Sequence, residues 1–432
     1  MGFEQNFCAS PWFHMRINNS GSYEYCRWRT KSSDQREDIE HNIGSQSPEQ
    51  YFQHVMAPIR KAMLAGEVIE SCHECRDQEA HNKVSGRQRQ LLKAGIRQIH
   101  WAKTLHSSPM YDDFVYSQQH HGITQRSVSD WQIDLGNYCN SACVFCSPAS
   151  SSRLASEFKK IGLISKLPQT SWCQDPVLLD RFIQSLVSNT KLRYLHFIGG
   201  ETLITPGFDR ILKALIDAGI AQRVTMGFTT NLTVWDPATI DLLKQFQQVN
   251  LGVSVETLTP VNDYVRWPSQ INSVSSLLDQ WRELAQQQNW LMQLRITPTC
   301  LTIHDLHTVY DYAWQHEISV ESCNFLNEPA FLRISVLPHE QRQAVIHALR
   351  VWIDDHALDP QPQVLNTRHP DLARQQIMQD AQSYCDLLAN SSDETHRLPD
   401  LMHYLHQLEQ SRGNCVLDYI PAYEKLFRSA GY

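Results

Sequence analysis

Asp134-Leu-Gly-Asn-Tyr-Cys-Asn-Ser-Ala-Cys-Val-Phe-Cys-Ser147 sets Cys139, Cys143 and Cys146 in the order CxxxCxxC. Three thiolates on one short loop can hold three irons of a cubane Fe–S cluster, because soft sulfur ligands suit such centres, and they leave the fourth iron without a protein ligand. An iron in that state is a reaction site. The apolar run at 131–135, followed by Gly136-Asn137, reads as a strand that delivers the loop. With twelve cysteines in the chain, accident produces this spacing only about 0.01 times. Zinc, the other metal that gathers thiols, wants a fourth ligand at structural-site spacing, and none follows nearby.

The chain has 432 residues, room for two or three domains, and 42% apolar with 9% aromatic content supports real cores. A formal net charge of −8 argues against a general nucleic-acid or membrane-surface binder, since both need a strong basic field. Met1-Gly-Phe-Glu-Gln-Asn-Phe-Cys8 lacks the basic-then-apolar order of a signal peptide, and no run approaches a membrane span. The expectation is a cytoplasmic protein whose cysteines are metal ligands and core thiols rather than disulfides.

A second thiol set precedes the first: Cys8, Cys26, Cys72 and Cys75. Alternation at 12–17 and 22–25 around Asn18-Asn-Ser-Gly21 predicts a hairpin with a cysteine at each end, and antiparallel pairing brings those two thiols together. Ser47 and Gln50 form a capping box, Pro48 takes the first helical position, Pro58 should kink the helix and Gly66 ends it. Its exit leads to Cys72-His-Glu-Cys75, a two-ligand turn in which His73 reads as a bystander. Four thiols satisfy a closed site for either a 4Fe-4S cubane or zinc. A helix is predicted at 79–95; its Arg87 and Arg89 could face an anionic substrate, although a solvated helix face is the more frequent explanation.

From residue 130 onward short apolar strands alternate with amphipathic helices, the mark of a parallel α/β domain. Strands are predicted at 131–135, 193–198, 223–229, 250–255, 292–297 and 319–325, giving six βα units; two more would be needed for a complete barrel. Beyond about 335 only helices are expected, to about 354, at 372–388 and at 398–408, with a break at 359–363. The organisation expected is 1–100 a cysteine module, 101–129 a linker or flap, 130–335 the barrel and 336–432 a helical extension. Cys173, Cys300, Cys323, Cys385 and Cys415 read as small buried apolar groups.

In parallel barrels the chemistry sits at the carboxyl ends of the strands. There stand Gly199-Gly200-Glu201-Thr202, Thr230-Asn231, Ser254 with Glu256, Arg295 and Asn324, and Arg266 follows the fourth strand. Glycines let the backbone come close to a ligand, a carboxylate accepts from an ammonium group, and an arginine can grip a carboxylate as a fork. For each lone polar residue, closing a strand–helix turn is an equally good account.

Together these motifs resemble the radical S-adenosylmethionine (SAM) superfamily, whose signature has the CxxxCxxC spacing with an aromatic before the last cysteine, as Phe145 is here. The resemblance implies a partial (β/α)6 TIM-type barrel. It also implies that Cys139, Cys143 and Cys146 hold the SAM-cleaving 4Fe-4S cluster, and that the product is a 5′-deoxyadenosyl radical which abstracts hydrogen from a substrate. Gly199, Gly200 and Glu201 match the family's GGEP step for the SAM amino group, with Thr202 in place of its proline. Thr230 and Asn231 resemble its adenosine step, Ser254 and Glu256 its ribose or carboxylate contacts, and Arg266 its recurrent arginine. The amino-terminal Cys-x12-Gly-x4-Cys element with a later CxxC is similar to the Twitch and SPASM auxiliary-cluster modules, although those usually follow the barrel. The missing further cysteines favour the shorter Twitch form. The implied activity is an oxidoreductase acting on a peptide or protein, or a dehydrogenase of a small carbohydrate-like or nucleoside substrate, supplied by a flavodoxin- or ferredoxin-like reductant. The rival of another class is a non-catalytic zinc or Fe–S binding protein.

Overall fold

The computed structural model describes residues 4, 6–26, 40–80, 84–168, 171–321, 326, 328–356 and 370–432. Cys323, Asn324 and the break expected at 359–363 lie outside the described residues. The chain is α/β, with eight strands among the described residues: β1 (His14–Ile17), β2 (Tyr23–Glu24), β3 (Asp130–Asp134), β4 (Tyr194–Ile198), β5 (Thr225–Thr230), β6 (Gln248–Ser254), β7 (Leu291–Arg295) and β8 (Ser319–Glu321). Strands β3 to β8 are the six read from the apolar runs, and helices intervene between each and the next, as the βα succession of a partial TIM-type barrel requires. The helical extension is present as His339–Asp355, Pro370–Asn390 and Leu398–Arg412.

The chain divides into two compact units that cut across the expected boundaries at 100, 129 and 335. The first comprises residues 1–138, 169–228 and 236–249. Within it β1 pairs antiparallel with β2 and parallel with β3, and β4 joins β3 and β5 in parallel. The predicted hairpin therefore exists, but its first strand extends the main sheet. Polar side chains join it there: His14 Nδ1 on β1 lies 2.9 Å and Lys93 Nζ, from a helix end, 2.5 Å from the Asp130 carboxylate, while Arg16 reaches Glu24 at 2.8 Å and Asp134 at 3.6 Å. Burial works to raise the Asp130 pKa, yet the charges of Lys93 and His14 outweigh it and hold the carboxyl well below the usual range.

The capping box of Ser47 and Gln50 is formed, Pro48 stands at the first helical turn and Gly66 closes the Ala57–Ala65 helix at φ +75°. At Pro58 the expected kink is a break: a wide turn over Tyr51–Val55 ends before Ala57, where a new helix starts. The helix expected at 79–95 is two, His73–Ala80 and Gly86–Lys93. The stretch read as a linker or flap is also helical, at Trp101–His106 and Tyr111–Gln119. It supplies Trp101, Leu105, Met110 and Phe114 to a core shared with Phe7, Trp12, Met63 and Leu91. Phe114 meets Phe7 and Trp12 edge-on at ring separations of 5.1 and 5.0 Å.

The second unit comprises residues 139–168, 229–235 and 250–432. In it β6, β7 and β8 pair in parallel, Asn250 opposite Leu291 and Gln293 opposite Ser319. The Ile271–Gln287 and Leu306–His316 helices bury Val274, Leu278, Trp281, Leu306, Val309 and Tyr310, the apolar positions that marked them in the sequence.

Because Phe114 is fully packed, Phe114→Ala should lower unfolding stability by about 3–5 kcal/mol, measured by urea titration. A loss within about 0.5 kcal/mol, the usual range of a surface change, is the result a loose linker would give.

Candidate active site

Strand β3 is buried along its whole length and runs into Leu135-Gly136-Asn137-Tyr138, the residues before the cysteine loop. Gly136 N–H donates to Asp134 Oδ1 at 3.2 Å, and Trp172 Nε1 to the Asp134 carbonyl at 2.8 Å. The end of β4 lies along this segment: Gly200 N–H donates to Gly136 O at 2.9 Å and Glu201 N–H to Tyr138 O at 2.8 Å. Both glycines are required by that approach. A Cβ on Gly199 would stand 2.4 Å from Asp134 Oδ1, and one on Gly200 would stand 2.1 Å from Tyr138 O. The close neighbour of the Gly-Gly step is thus the backbone that leads to Cys139. Glu201 is buried and caps the turn of Thr202–Ile204 by accepting from Leu203 N–H at 3.2 Å. Thr202 is buried beside it.

In the second unit the three thiols of the loop share one neighbourhood. Burial pushes the Cys146 thiol up, and the nearby Cys143 and Cys139 push it further. Cys143 is raised by burial as well, against the opposing charge of Arg266. The Ser141 N–H points at Cys139 Sγ, 3.5 Å away, and Ser152 Oγ accepts from Cys139 N–H at 3.1 Å. Arg266 Nη1 lies 3.9 Å from Cys143 Sγ, and its guanidinium stands over the Phe145 ring at 5.4 Å. A buried ion pair joins Arg266 to Glu256, whose other oxygen accepts from Thr297 N–H at 2.6 Å. Burial disfavours the Arg266 charge, but Glu256 and the Cys143 sulfur outweigh that and keep its pKa above the ordinary value.

Of the remaining strand-end residues, Asn231 bonds to the cysteine loop and Thr230 to its own turn. Asn231 donates to Asn140 Oδ1 at 2.9 Å and Ser141 Oγ at 3.0 Å, and its amide is 4.0 Å from Cys139 Sγ. Thr230 Oγ1 accepts from Leu232 N–H, Ser254 ends β6 half-buried, and Arg295 is paired with Glu321 at 3.2 Å. The Arg295–Glu321 pair links β7 to β8.

The four amino-terminal thiols, Cys8, Cys26, Cys72 and Cys75, line one cavity together with Tyr25 and Arg87. Cys72 ends a single turn, Glu70–Cys72, and Cys75 stands on the His73–Ala80 helix, so the CxxC step is helical rather than an open turn. Burial, then the nearby Cys75 and Cys72, hold the Cys8 thiol up at about 12. Arg87 is buried against Glu79 and donates to the carbonyls of Glu4 and Phe7, so it is no solvated face. Among the described residues no three His, Cys, Asp or Glu side chains are drawn together as the ligands of a single metal ion. What each thiol set shares is a neighbourhood of soft donors whose protons must leave before a metal can bind.

The sequence shows neither the Ser152–Lys160 helix, capped by Ser151, nor the contacts that Ser152, Val265, Trp267, Tyr404 and Arg412, among others, make with the cysteine loop. Ser151 was the available signal for the helix. The other contacts span up to 270 positions and leave no local trace.

Gly200→Ala should overpack the Gly136–Tyr138 segment at a cost of about 1–3 kcal/mol. Iron bound per chain after anaerobic reconstitution should fall well below the parent's while the circular dichroism stays native; unchanged iron would show that the close approach is dispensable. Cys173 and Cys300 are buried thiols, raised by burial to about 11 and about 12. Stability from keeping them protonated is complete below their ordinary value near 9 and is lost as pH rises through 11 to 12. Cys300→Ala should therefore lose less stability than the parent between pH 9 and 12 in denaturant titrations; parallel losses would contradict the assignment.

Residues 133–286 match the radical SAM superfamily model. No curated protein matches the chain. Among solved structures, Streptococcus suis SuiB bound to S-adenosylmethionine aligns at 14% identity and TM-score 0.35 over 65% of this chain and 59% of that one. Native anSMEcpe with bound AdoMet aligns at 15% and 0.36 over 52% and 60%. The radical S-adenosylmethionine methyltransferase TsrM from Kitasatospora setae aligns at 12% and 0.32 over 44% and 35%. The chain spans less than two thirds of each, and likeness at this level carries no argument about activity or substrate. The family model covers the end of β3, the cysteine loop and the strands and helices that follow as far as residue 286.

Proposed function

We propose that this chain is a radical SAM enzyme that reductively cleaves SAM at the loop of Cys139, Cys143 and Cys146 and oxidises a peptide or protein substrate. The observation that carries the reading is three thiols on one loop, Cys143 buried and Cys139 and Cys146 partly buried, beside the Arg266–Glu256 pair and inside the matched stretch. Bound there, a cubane with one iron free of protein ligands supplies the electron that splits the SAM sulfonium, and a second, four-thiolate cubane would accept an electron from the substrate. Cys8, Cys26, Cys72 and Cys75 are the residues proposed to hold the second, with zinc as the alternative occupant; their common cavity supports it. Gly199, Gly200, Glu201 and Thr202 are proposed to present acceptors to the SAM ammonium, and Thr230, Asn231, Ser254, Glu256 and Arg266 to bound the remainder of SAM. Arg266 and Glu256 neutralise one another, so the positive charge beside Cys143 comes with its own counter-charge and stays in place when the thiols ionise. The reductant proposed is flavodoxin- or ferredoxin-like. Among the described residues no helix is long and apolar enough to cross a membrane.

Anaerobic reconstitution should give about eight irons per chain, or about four with one zinc if the amino-terminal site is a zinc site. With SAM and a reductant the reconstituted protein should release 5′-deoxyadenosine, and Cys143→Ala should abolish release. Cys75→Ala should remove about four irons and leave SAM cleavage standing. Release that survives Cys143→Ala would remove the assignment. Deuterium carried from a labelled peptide into 5′-deoxyadenosine supports the substrate class, and transfer only from a sugar or nucleoside alcohol replaces it.

A further inference from the structure

The cysteine loop is bonded on two sides by different parts of the second unit. On one side Ala142 N–H donates to Trp267 O at 2.7 Å and Val144 N–H to Val265 O at 2.9 Å. On the other, the carbonyls of the same two residues accept from a single helix, Leu398–Arg412: Arg412 Nη2 donates to Ala142 O at 2.8 Å and Tyr404 OH to Val144 O at 2.8 Å. Ala142 lies between Cys139 and Cys143, and Val144 between Cys143 and Cys146. One helix therefore grips both intervals of the motif.

The grip is itself held. The Arg412 side chain is 1% exposed, is paired with buried Glu157 at 2.7 Å, and stands over the Trp267 ring at 5.1 Å. It cannot swing away without leaving the Glu157 carboxylate buried and unpaired, a costly state. One turn along the same helix, Glu409 accepts from Tyr264 OH at 3.0 Å, Tyr432 OH at 2.7 Å and Val416 N–H at 2.5 Å, which pins the helix to the segment before Val265 and to the last residue. Tyr404 is buried, and its ring meets Phe158 edge-on at 6.1 Å.

We propose that Tyr404 and Arg412 are positioning residues through which the carboxy-terminal helix orders the cysteine loop, so that capture and retention of the cluster depend on the helical extension. The proposal rests on the radical SAM reading. Its physical content is preorganisation: a loop whose N–H and C=O groups are both engaged presents its sulfurs in one arrangement, and outer-shell partners of this kind govern how tightly a metal site holds its occupant.

The test uses the full chain, reconstituted anaerobically as parent, Tyr404→Phe, Arg412→Gln, the double variant and Arg412→Lys. Loss of Fe–S absorbance is followed under excess chelator, alongside the melting temperature of each protein before reconstitution. The double variant should release its iron on the order of 10–100-fold faster than the parent, with smaller increases in the singles. Arg412→Lys should recover part of the retention, because an ammonium can still reach the Ala142 carbonyl. Folded single variants that release iron at the parent's rate overturn the proposal, as does an acceleration that Arg412→Lys leaves unrelieved. Tyr404→Phe removes only a hydroxyl, so the proposal stays open to refutation even where Arg412→Gln does not fold. A parent that takes up no cluster, by contrast, refutes the radical SAM reading itself.

Discussion

The peptide groups of Ala142 and Val144 are engaged through both N–H and C=O, and on those four hydrogen bonds the arrangement of Cys139, Cys143 and Cys146 depends. A free loop of this length would sample many conformations, and gathering three ionisable sulfurs would have to be repeated for every occupant. Here the cost is met in folding. Trp267 links the two sides, since its carbonyl takes the Ala142 N–H while its ring lies against the guanidiniums of Arg412 and Arg153. Two buried guanidiniums, Arg266 and Arg412, each paired with a carboxylate of its own, lie near Cys143 and oppose the rise that burial gives its thiol.

The sheet of the first unit has an amino-terminal edge. Cys8 and Cys26 flank the β1–β2 hairpin, and β1 pairs with β3, the strand that leads into the cysteine loop. Arg16 bridges Glu24 on β2 and Asp134 at the end of β3. The hairpin that carries Cys8 and Cys26 at its ends is thus part of the sheet of the first unit rather than a sheet of its own. The hairpin could be read from its alternation and its turn residues. Its partner could not, because strand neighbours more than a hundred positions apart are chosen by packing rather than by local pattern.

The stretch at 101–129 shows the same limit from the other direction. Trp101, Leu105 and Phe114 sit on two helices of six and nine residues, and Met110 caps the second. Helices so short have little independent stability and give too few turns for a period to emerge. They exist because Phe7, Trp12 and Met63 offer them a core. Arg87 is a similar case: as a lone cation among glutamines it reads as surface, and only the nearby Glu79 and the carbonyls of Glu4 and Phe7 account for its burial.

What the linear chain determined was whatever depends on neighbours within a few positions. The CxxxCxxC spacing, the capping box at Ser47, the Gly-Gly step after β4 and six apolar strands with their helices all carry their reason in local geometry, and each stands where it was read. Tertiary structure alone decided which backbone the glycines approach, which carboxylate neutralises Arg266, that four distant thiols line one cavity, and that a carboxy-terminal helix holds the cysteine loop. The reason is physical: hydrogen bonds and ion pairs between remote segments form only where burial has removed the competing water, and burial is a property of the folded chain.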